Sequence, residues 1–372
     1  MNEARDIVGI SVPFAAGVAT GVALYPLLSG RLPYITSSIL LILIFITTIL
    51  ARLDKFSGRW LVIAGIFLIT GIFSSLSHSI ASGIPEYDSG FISSVAADAV
   101  GTLRSVIDNI PYPSESTTPL VKALLTGDKS DLTKEITGIF RDSGASHILA
   151  LSGLHLGVLY ILLARLTAPL GNSPWIRTLR YSLIIGAALF YSIMTGATPS
   201  IIRAFLFITI NETAKLLGRK REPVRVLLAA LTIQLAIRPD VITSVAFQLS
   251  YMAMAGIFLI FPTLDRIYPM PSCSKFSRFN PFRKIWSAAT LSISCQIFTG
   301  PVAWHYFHTF PKYFILTNLI ALPLTSAIMV LSVATIALSF FGICPEPLVI
   351  LNDHAMQALV FCLKIISGID ES

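Results

Sequence analysis

The chain has 372 residues, of which 54% are hydrophobic and only 13% charged, with a mean hydropathy of +0.76. A soluble domain of this length cannot bury so much apolar surface, so the composition excludes a water-soluble enzyme or binding module and indicates an all-α polytopic membrane protein. The formal net charge of +7 does not by itself indicate nucleic acid, because its distribution follows the membrane.

A helical span needs about 20 apolar residues. Such stretches run near 7–28, 34–51, 60–81, 147–168, 178–195, 199–217, 224–237, 241–261, 285–303, 313–341 and 347–367. They predict about eleven membrane-spanning helices, some of them broken. The first is expected to be a retained span rather than a secretory signal, because Glu3 and Asp6 flank the lone Arg5 and the apolar run is longer than a signal core. The stretch from Lys312 to Gly342 is long for one span and carries Asn318 and Pro323, which predicts a kinked or discontinuous helix. Cys273, Cys295, Cys344 and Cys362 stand singly, so neither a disulfide framework nor a metal site is expected, and no cofactor is.

Basic residues collect in alternate loops: Arg52, Lys55 and Arg59; Arg165, Arg177 and Arg180; Lys215 to Arg225; Arg266 to Lys284. The connections around Arg31, Thr198, Asp240 and Lys312 hold few. Cytoplasmic loops retain Lys and Arg, so the basic loops are assigned inside and the amino terminus is expected in the cytoplasm.

The first three spans form an amino-terminal helical region, 1–81. The long segment that follows, 82–146, falls outside and carries nine Asp and Glu against five Lys and Arg, which argues against a basic DNA-binding arm. Ile92, Val95, Ala99, Leu103, Val106 and Ile110 recur at helical spacing opposite Ser94, Asp98, Arg104 and Asp108, predicting an outer amphipathic helix ended by Pro111 and Pro113 within 82–114. Two short helices, Leu120 to Leu125 and Leu132 to Phe140, flank a Gly127-Asp128 break.

Four constellations could carry chemistry. In DSGASHILALSGLHLGVLY, His147, Ser152 and His155 sit at the entrance of an apolar run. If that run is one helix, the two histidines lie about 80° apart and could border one cavity. Gly153 and Gly157 have the small-xxx-small spacing of a helix contact. Ser152 and His155 could also be nucleophile and base, but the sequence around them is not a nucleophile elbow and supplies no placed carboxylate. In TGATPSIIRAFLF, Thr198 is expected to cap a helix that starts at Pro199, placing Arg203 about 7.5 Å inside. That arginine either snorkels to the interface or contacts an anion in a water-filled path. In AFQLSYMAMAG, Gln248 and Ser250 can join helices or meet a solute. In HYFHTFPKYFILTNLIALPL, His305 and His308 with Tyr306, Phe307, Phe310 and Tyr313 suit an aromatic belt or stacking faces for a single strand. Asn318 follows in the next span.

These four blocks, in this order over about 115–340, resemble the membrane domain of the ComEC-like competence family. LLTGDKSDLTKEITGIFRDSGASHILALSGLHLG carries most of the likeness. The resemblance implies a competence-type channel domain over 115–372 that passes one DNA strand inward across the bacterial plasma membrane. It also implies partners: single-stranded DNA, membrane lipids, and a separate DNA receptor, nuclease or ATP-driven motor. Relatives often carry an oligonucleotide-binding-type barrel and a metallo-hydrolase-like domain; neither is expected here, so this chain is read as a transport channel and not an enzyme. Two other classes stay open: a carrier or scaffold for another anionic solute or lipid, and a membrane-embedded Ser/His hydrolase.

Overall fold

The computed structural model describes residues 2–28, 32–52, 59–81, 90–268, 281–308 and 313–368. Arg31, Lys55, Lys275, Arg278, Phe310 and Lys312, which bear on the loop assignments above, lie outside the described residues, as does Cys273. Among the described residues the chain is helical without a strand: α1 (Asn2–Leu24), α2 (Leu32–Arg52), α3 (Arg59–Ala81), α4 (Gly90–Asp108), α5 (Thr117–Thr126), α6 (Lys134–Asp142), α7 (Ser146–Leu149) and α8 (Gly153–Leu166). There follow α9 (Pro174–Met194), α10 (Pro199–Leu216), α11 (Pro223–Ile237), α12 (Val245–Leu259), α13 (Phe261–Asp265), α14 (Pro281–Phe307), α15 (Phe314–Phe340) and α16 (Glu346–Gly368).

Each of the eleven apolar stretches is mostly helical in its described residues. Among the described residues, six segments meet both the length and the hydropathy expected of a span: Ile7–Leu27, Ile63–Ile80, Gly153–Leu170, Val245–Asp265, Phe314–Phe340 and Glu346–Gly368. The composition and these helices make it an all-α membrane protein. Exposed Ile35, Ile39 and Ile42 on α2 are surface suited to lipid rather than water.

Two predicted spans differ in continuity. The stretch 147–168 is broken into α7 and α8, because Ala150 and Ser152 adopt extended backbone angles. The stretch containing Pro323 is one 27-residue helix, α15. Proline removes one helical hydrogen bond, and packed neighbours and nearby hydroxyls tolerate that loss inside membranes.

The chain forms two compact units. Unit 1 comprises residues 1–89 and 209–251. Its α1 and α3 pack backbone to backbone, since a Cβ at Gly17 would collide with the Leu68 carbonyl and one at Gly71 with the Phe14 carbonyl. Thr232 donates to Ser11 at 2.9 Å, and Tyr251 donates to Gln234 Oε1 at 2.9 Å, giving these apolar helices polar cross-links.

Unit 2 comprises residues 90–208 and 252–372. One core joins Ile107, Leu120, Leu124, Phe140 and Ile148 to Ile328, Met356 and Leu363. The expected amphipathic helix is α4. The carboxy-terminal part of its apolar stripe packs on this core and is not offered to lipid headgroups: Leu103 and Val106 are partly buried, and Ile110, just past the helix, is buried, as is Ile107, which the expected stripe did not include. Its charged edge is held as well: Arg104 pairs with Asp128 at 3.0 Å, and Lys122 with Asp108 at 2.7 Å and Asp131 at 3.0 Å. Gly127 ends α5 with φ +78, and a Cβ there would strike the Leu151 side chain. A second cluster, Leu156, Ile184, Ala188, Ile201 and Ile208, packs α8, α9 and α10 together.

The glycine contacts yield opposite expectations for two neighbouring positions. Gly71→Ala should destabilise by about 1–3 kcal/mol, because two backbones must separate. Gly65→Ala meets nothing within 4 Å and should stabilise by about 0.5–1 kcal/mol through helix propensity. Thermal unfolding in detergent checks the pair, and Gly71→Ala should melt below both the parent and Gly65→Ala.

Candidate functional site

The break between α7 and α8 leaves the first amides of α8 without intrahelical partners. Ser152 and His155 satisfy them. Leu154 N donates to Ser152 Oγ at 3.3 Å, Ser152 N donates to His155 Nδ1 at 3.1 Å, and the two side chains lie 3.1 Å apart. This is a capping box with histidine in the place usually held by Glu or Gln. Because Nδ1 accepts an amide hydrogen, the proton of neutral His155 sits on Nε2. His155 is 1% exposed, and its Nε2 is buried with no hydrogen-bond partner among the described residues. Among those residues no carboxylate orients this imidazole through Nε2.

Arg203, on the second turn of α10, is buried. It does not extend to the protein surface as snorkelling would require. Its guanidinium lies over the first residue of α8, so that a Cβ at Gly153 would sit 2.7 Å from Nη2 and 3.2 Å from Ala204 Cβ. Gly153 is thus approached by the side chains of Arg203 and Ala204, whereas its spacing predicted the approach of another helix backbone. Gly157 is not: nothing described lies within 4 Å of a Cβ built there. The small-xxx-small pattern fixes spacing along one helix but not whether a neighbour covers both positions. Pro199 opens α10 as expected, but Thr198 supplies its carbonyl to Ile201 and Ile202 while its hydroxyl, buried, makes no hydrogen bond. The turn before it holds Ala197 at φ 48, a left-handed conformation that costs a non-glycine residue free energy.

The structure brings Ser152, Gly153, His155 and Arg203 into one corner. For the other predicted positions the structure gives local surroundings. His147 is exposed on α7, with Nδ1 3.2 Å from the Gly144 carbonyl; the helix break removes the wheel geometry that would have placed it beside His155. Gln248 donates to the Ile242 carbonyl at 2.9 Å within unit 1, on the same helix as Ser250. His305 stacks edge-on to Tyr306 and His308 to Trp304, at the exposed end of α14, where His308 takes φ 52. Asn318 lies on α15 with Oδ1 buried and unpartnered, and Thr325 Oγ1 on the same helix is likewise buried without a partner. Among the described residues no group of three His, Cys, Asp or Glu is placed to hold a metal.

Next to the aromatic end of α14 lies an open groove of about 590 Å³ lined by Ile293, Ile297, Gly300, Pro301, Trp304 and Phe314.

One polar group of α16 had no counterpart in the sequence reading. Asp353, 4% exposed, accepts from Ser114 N at 3.3 Å, Ser114 Oγ at 2.8 Å and Thr117 Oγ1. Asn352 donates to Tyr112 Oη at 3.1 Å and Ser332 Oγ at 3.0 Å. The signal available was an Asn-Asp pair inside an apolar span, which must find partners within the protein.

A family model described as competence protein matches residues 124–372. The chain belongs to that family. Among similar proteins, YcaI of Escherichia coli (strain K12), an uncharacterized protein, is 28% identical over 73% of this chain and 35% of its own length. ComE operon protein 3 of Bacillus subtilis (strain 168) is 25% identical over 58% of this chain and 25% of its own. An uncharacterized protein of Aquifex aeolicus (strain VF5) is 30% identical over 37% of this chain and 32% of its own. The chain therefore spans about a quarter to a third of the length of these relatives. No solved structure matches. The matched residues contain α6 to α16 and the last three residues of α5, and so include the whole corner built by Ser152, His155 and Arg203.

The capping role of Ser152 is directly testable. Ser152→Ala should cost about 1 kcal/mol, as loss of a serine cap does elsewhere. Ser152→Asp, which keeps an acceptor for the Leu154 amide, should recover most of it. Thermal unfolding of the three proteins measures both effects.

Proposed function

We propose that this competence-family chain is a channel that passes single-stranded DNA inward across the bacterial plasma membrane, with its amino terminus in the cytoplasm. The observation that carries the reading is the Arg203 guanidinium buried against the amino-terminal turn of α8. A helix amino terminus bears partial positive charge and attracts anions. A cation placed there gives the corner a positive potential, which suits a phosphate in a path that excludes most water. The name of the Bacillus subtilis relative, ComE operon protein 3, and the competence family itself support the DNA assignment. The unpartnered Nε2 of His155 and Oδ1 of Asn318 are polar positions that water or a strand would satisfy. The exposed rings at the end of α14 offer sequence-tolerant stacking faces. A DNA receptor, a nuclease for the other strand and a motor would be separate partners, as would the surrounding lipids. Such a chain works by transport and not by bond chemistry of its own.

A carrier or scaffold for a lipid is the second reading, favoured by the groove along α14, whose lining suits an acyl chain. Reconstituted protein should bind labelled single-stranded oligonucleotide under the first reading. Lipid capture without oligonucleotide binding would favour the second.

Deleting the gene should abolish entry of labelled DNA into competent cells, and unchanged entry would refute the channel. Arg203→Ala should reduce entry by about tenfold, the loss of one charge-assisted contact, while membrane protein level stays near that of the parent. A parallel fall in both would mark Arg203 as structural.

A further inference from the structure

Helix α16 carries a polar stripe. Asp353, Gln357 and Lys364 fall within about 40° of one another at 100° per residue and extend over about 16 Å of helix. Each meets the segment between α4 and α7. Asp353 takes Ser114 and Thr117, Gln357 donates to Ser116 Oγ at 3.0 Å, and Lys364 pairs with Glu135 at 3.4 Å.

The first of these contacts does what the local sequence does not. Ser116 is the N-cap of α5 but makes no capping hydrogen bond; its hydroxyl is engaged by Gln357. The Asp353 carboxylate instead sits at the amino end of α5, 236 residues away in sequence from Thr117, where negative charge meets the positive end of the helix. Helix α5 has ten residues, seven of them buried, so it is held as a rod about 15 Å long. At its other end Gly127 packs under Leu151, and Tyr191 of α9 donates to the Leu125 carbonyl at 3.1 Å. Leu151 is the residue before the Ser152 cap. A line of contacts thus runs from Asp353 through α5 to the corner where Arg203 meets α8.

We propose that Asp353 is a positioning residue: by fastening the amino end of α5 to α16 it sets the place of the Leu151–His155 turn. Its functional consequence rests on the channel reading, whereas the fastening itself does not. Loss of the carboxylate leaves the Ser114 and Thr117 donors without acceptors in a buried place, which frees the rod.

The test uses the intact chain with its four native cysteines replaced by serine and Ala123→Cys added as a reporter, Ala123 being 1% exposed. Maleimide labelling in native membranes, membrane level and labelled-DNA entry are read together. Asp353→Ala should speed labelling by about tenfold and reduce DNA entry by about tenfold, with membrane level within about twofold of the parent. Asp353→Asn keeps an oxygen acceptor for these donors and should restore both readouts to within about threefold. If Asp353→Ala does not accumulate, Ser114→Ala with Thr117→Val removes the donors from the other side and must speed labelling equally. Unchanged labelling in either variant overturns the fastening. Faster labelling with undiminished DNA entry overturns the positioning role. Should the reporter chain with Asp353 intact admit no DNA while the native chain does, the native-cysteine chain carrying Asp353→Ala decides the positioning role by DNA entry. Should the native chain admit none, the channel reading fails while labelling still decides the fastening.

Discussion

The end of a helix inside apolar surroundings has amide hydrogens that water cannot reach, and the architecture of unit 2 follows from how they are satisfied. At α8 the chain breaks after α7, and the freed amides are taken by Ser152 and by His155 Nδ1. At α5 the Asp353 carboxylate of α16 takes the Thr117 hydroxyl and, just before the helix, the Ser114 amide and hydroxyl. In lipid an unsatisfied group of this kind costs several kcal/mol. Two helices that begin inside the protein therefore need polar partners brought to them, and the segment between α4 and α8 is folded against α15 and α16 accordingly. Arg203 depends on the same corner. Its charge is buried where Gly153, lacking a side chain, lets the guanidinium reach the backbone of α8.

Much of this could be read from the sequence because hydropathy is a property of each segment alone. Every apolar stretch is mostly helical, the Gly127-Asp128 break ended α5, and Pro199 opened α10. What could not be read depended on a second segment. The run from His147 to Leu166 is mostly apolar, so its overall hydropathy does not mark the extended residues Ala150 and Ser152. Gly157 has the same spacing signal as Gly153, but only Gly153 is approached. The Asn352-Asp353 pair gives no hint of its partners, because Tyr112, Ser114 and Thr117 lie in a linker that reads as an outer connection. The stripe of α4 was visible, whereas its burial beside α15 and α16 was not, since amphipathic periodicity does not distinguish a protein core from a lipid interface.

Family membership and structure draw different lines through the chain. The family match begins at residue 124, inside α5. The compact unit begins at Gly90, because Ile107 of α4, Ile110 just after it and the linker from Tyr112 to Thr117 pack onto α15 and α16. Helix α4 and the linker are thus part of the same folded body as the matched residues. Its lock on α16 uses hydroxyls and one carboxylate, groups that an apolar core would not otherwise tolerate.

The central claim is that a nucleic-acid strand passes the corner formed by α8 and Arg203. Gly157, about one turn beyond Gly153 on α8, has open space where a side chain would be, so a photoreactive amino acid fits there without displacing a neighbour. Illumination during uptake of labelled DNA should yield a DNA adduct from position 157 and none from position 39, an exposed site on α2. Equal capture at both positions, or none at 157 in cells that take up DNA, would contradict the account.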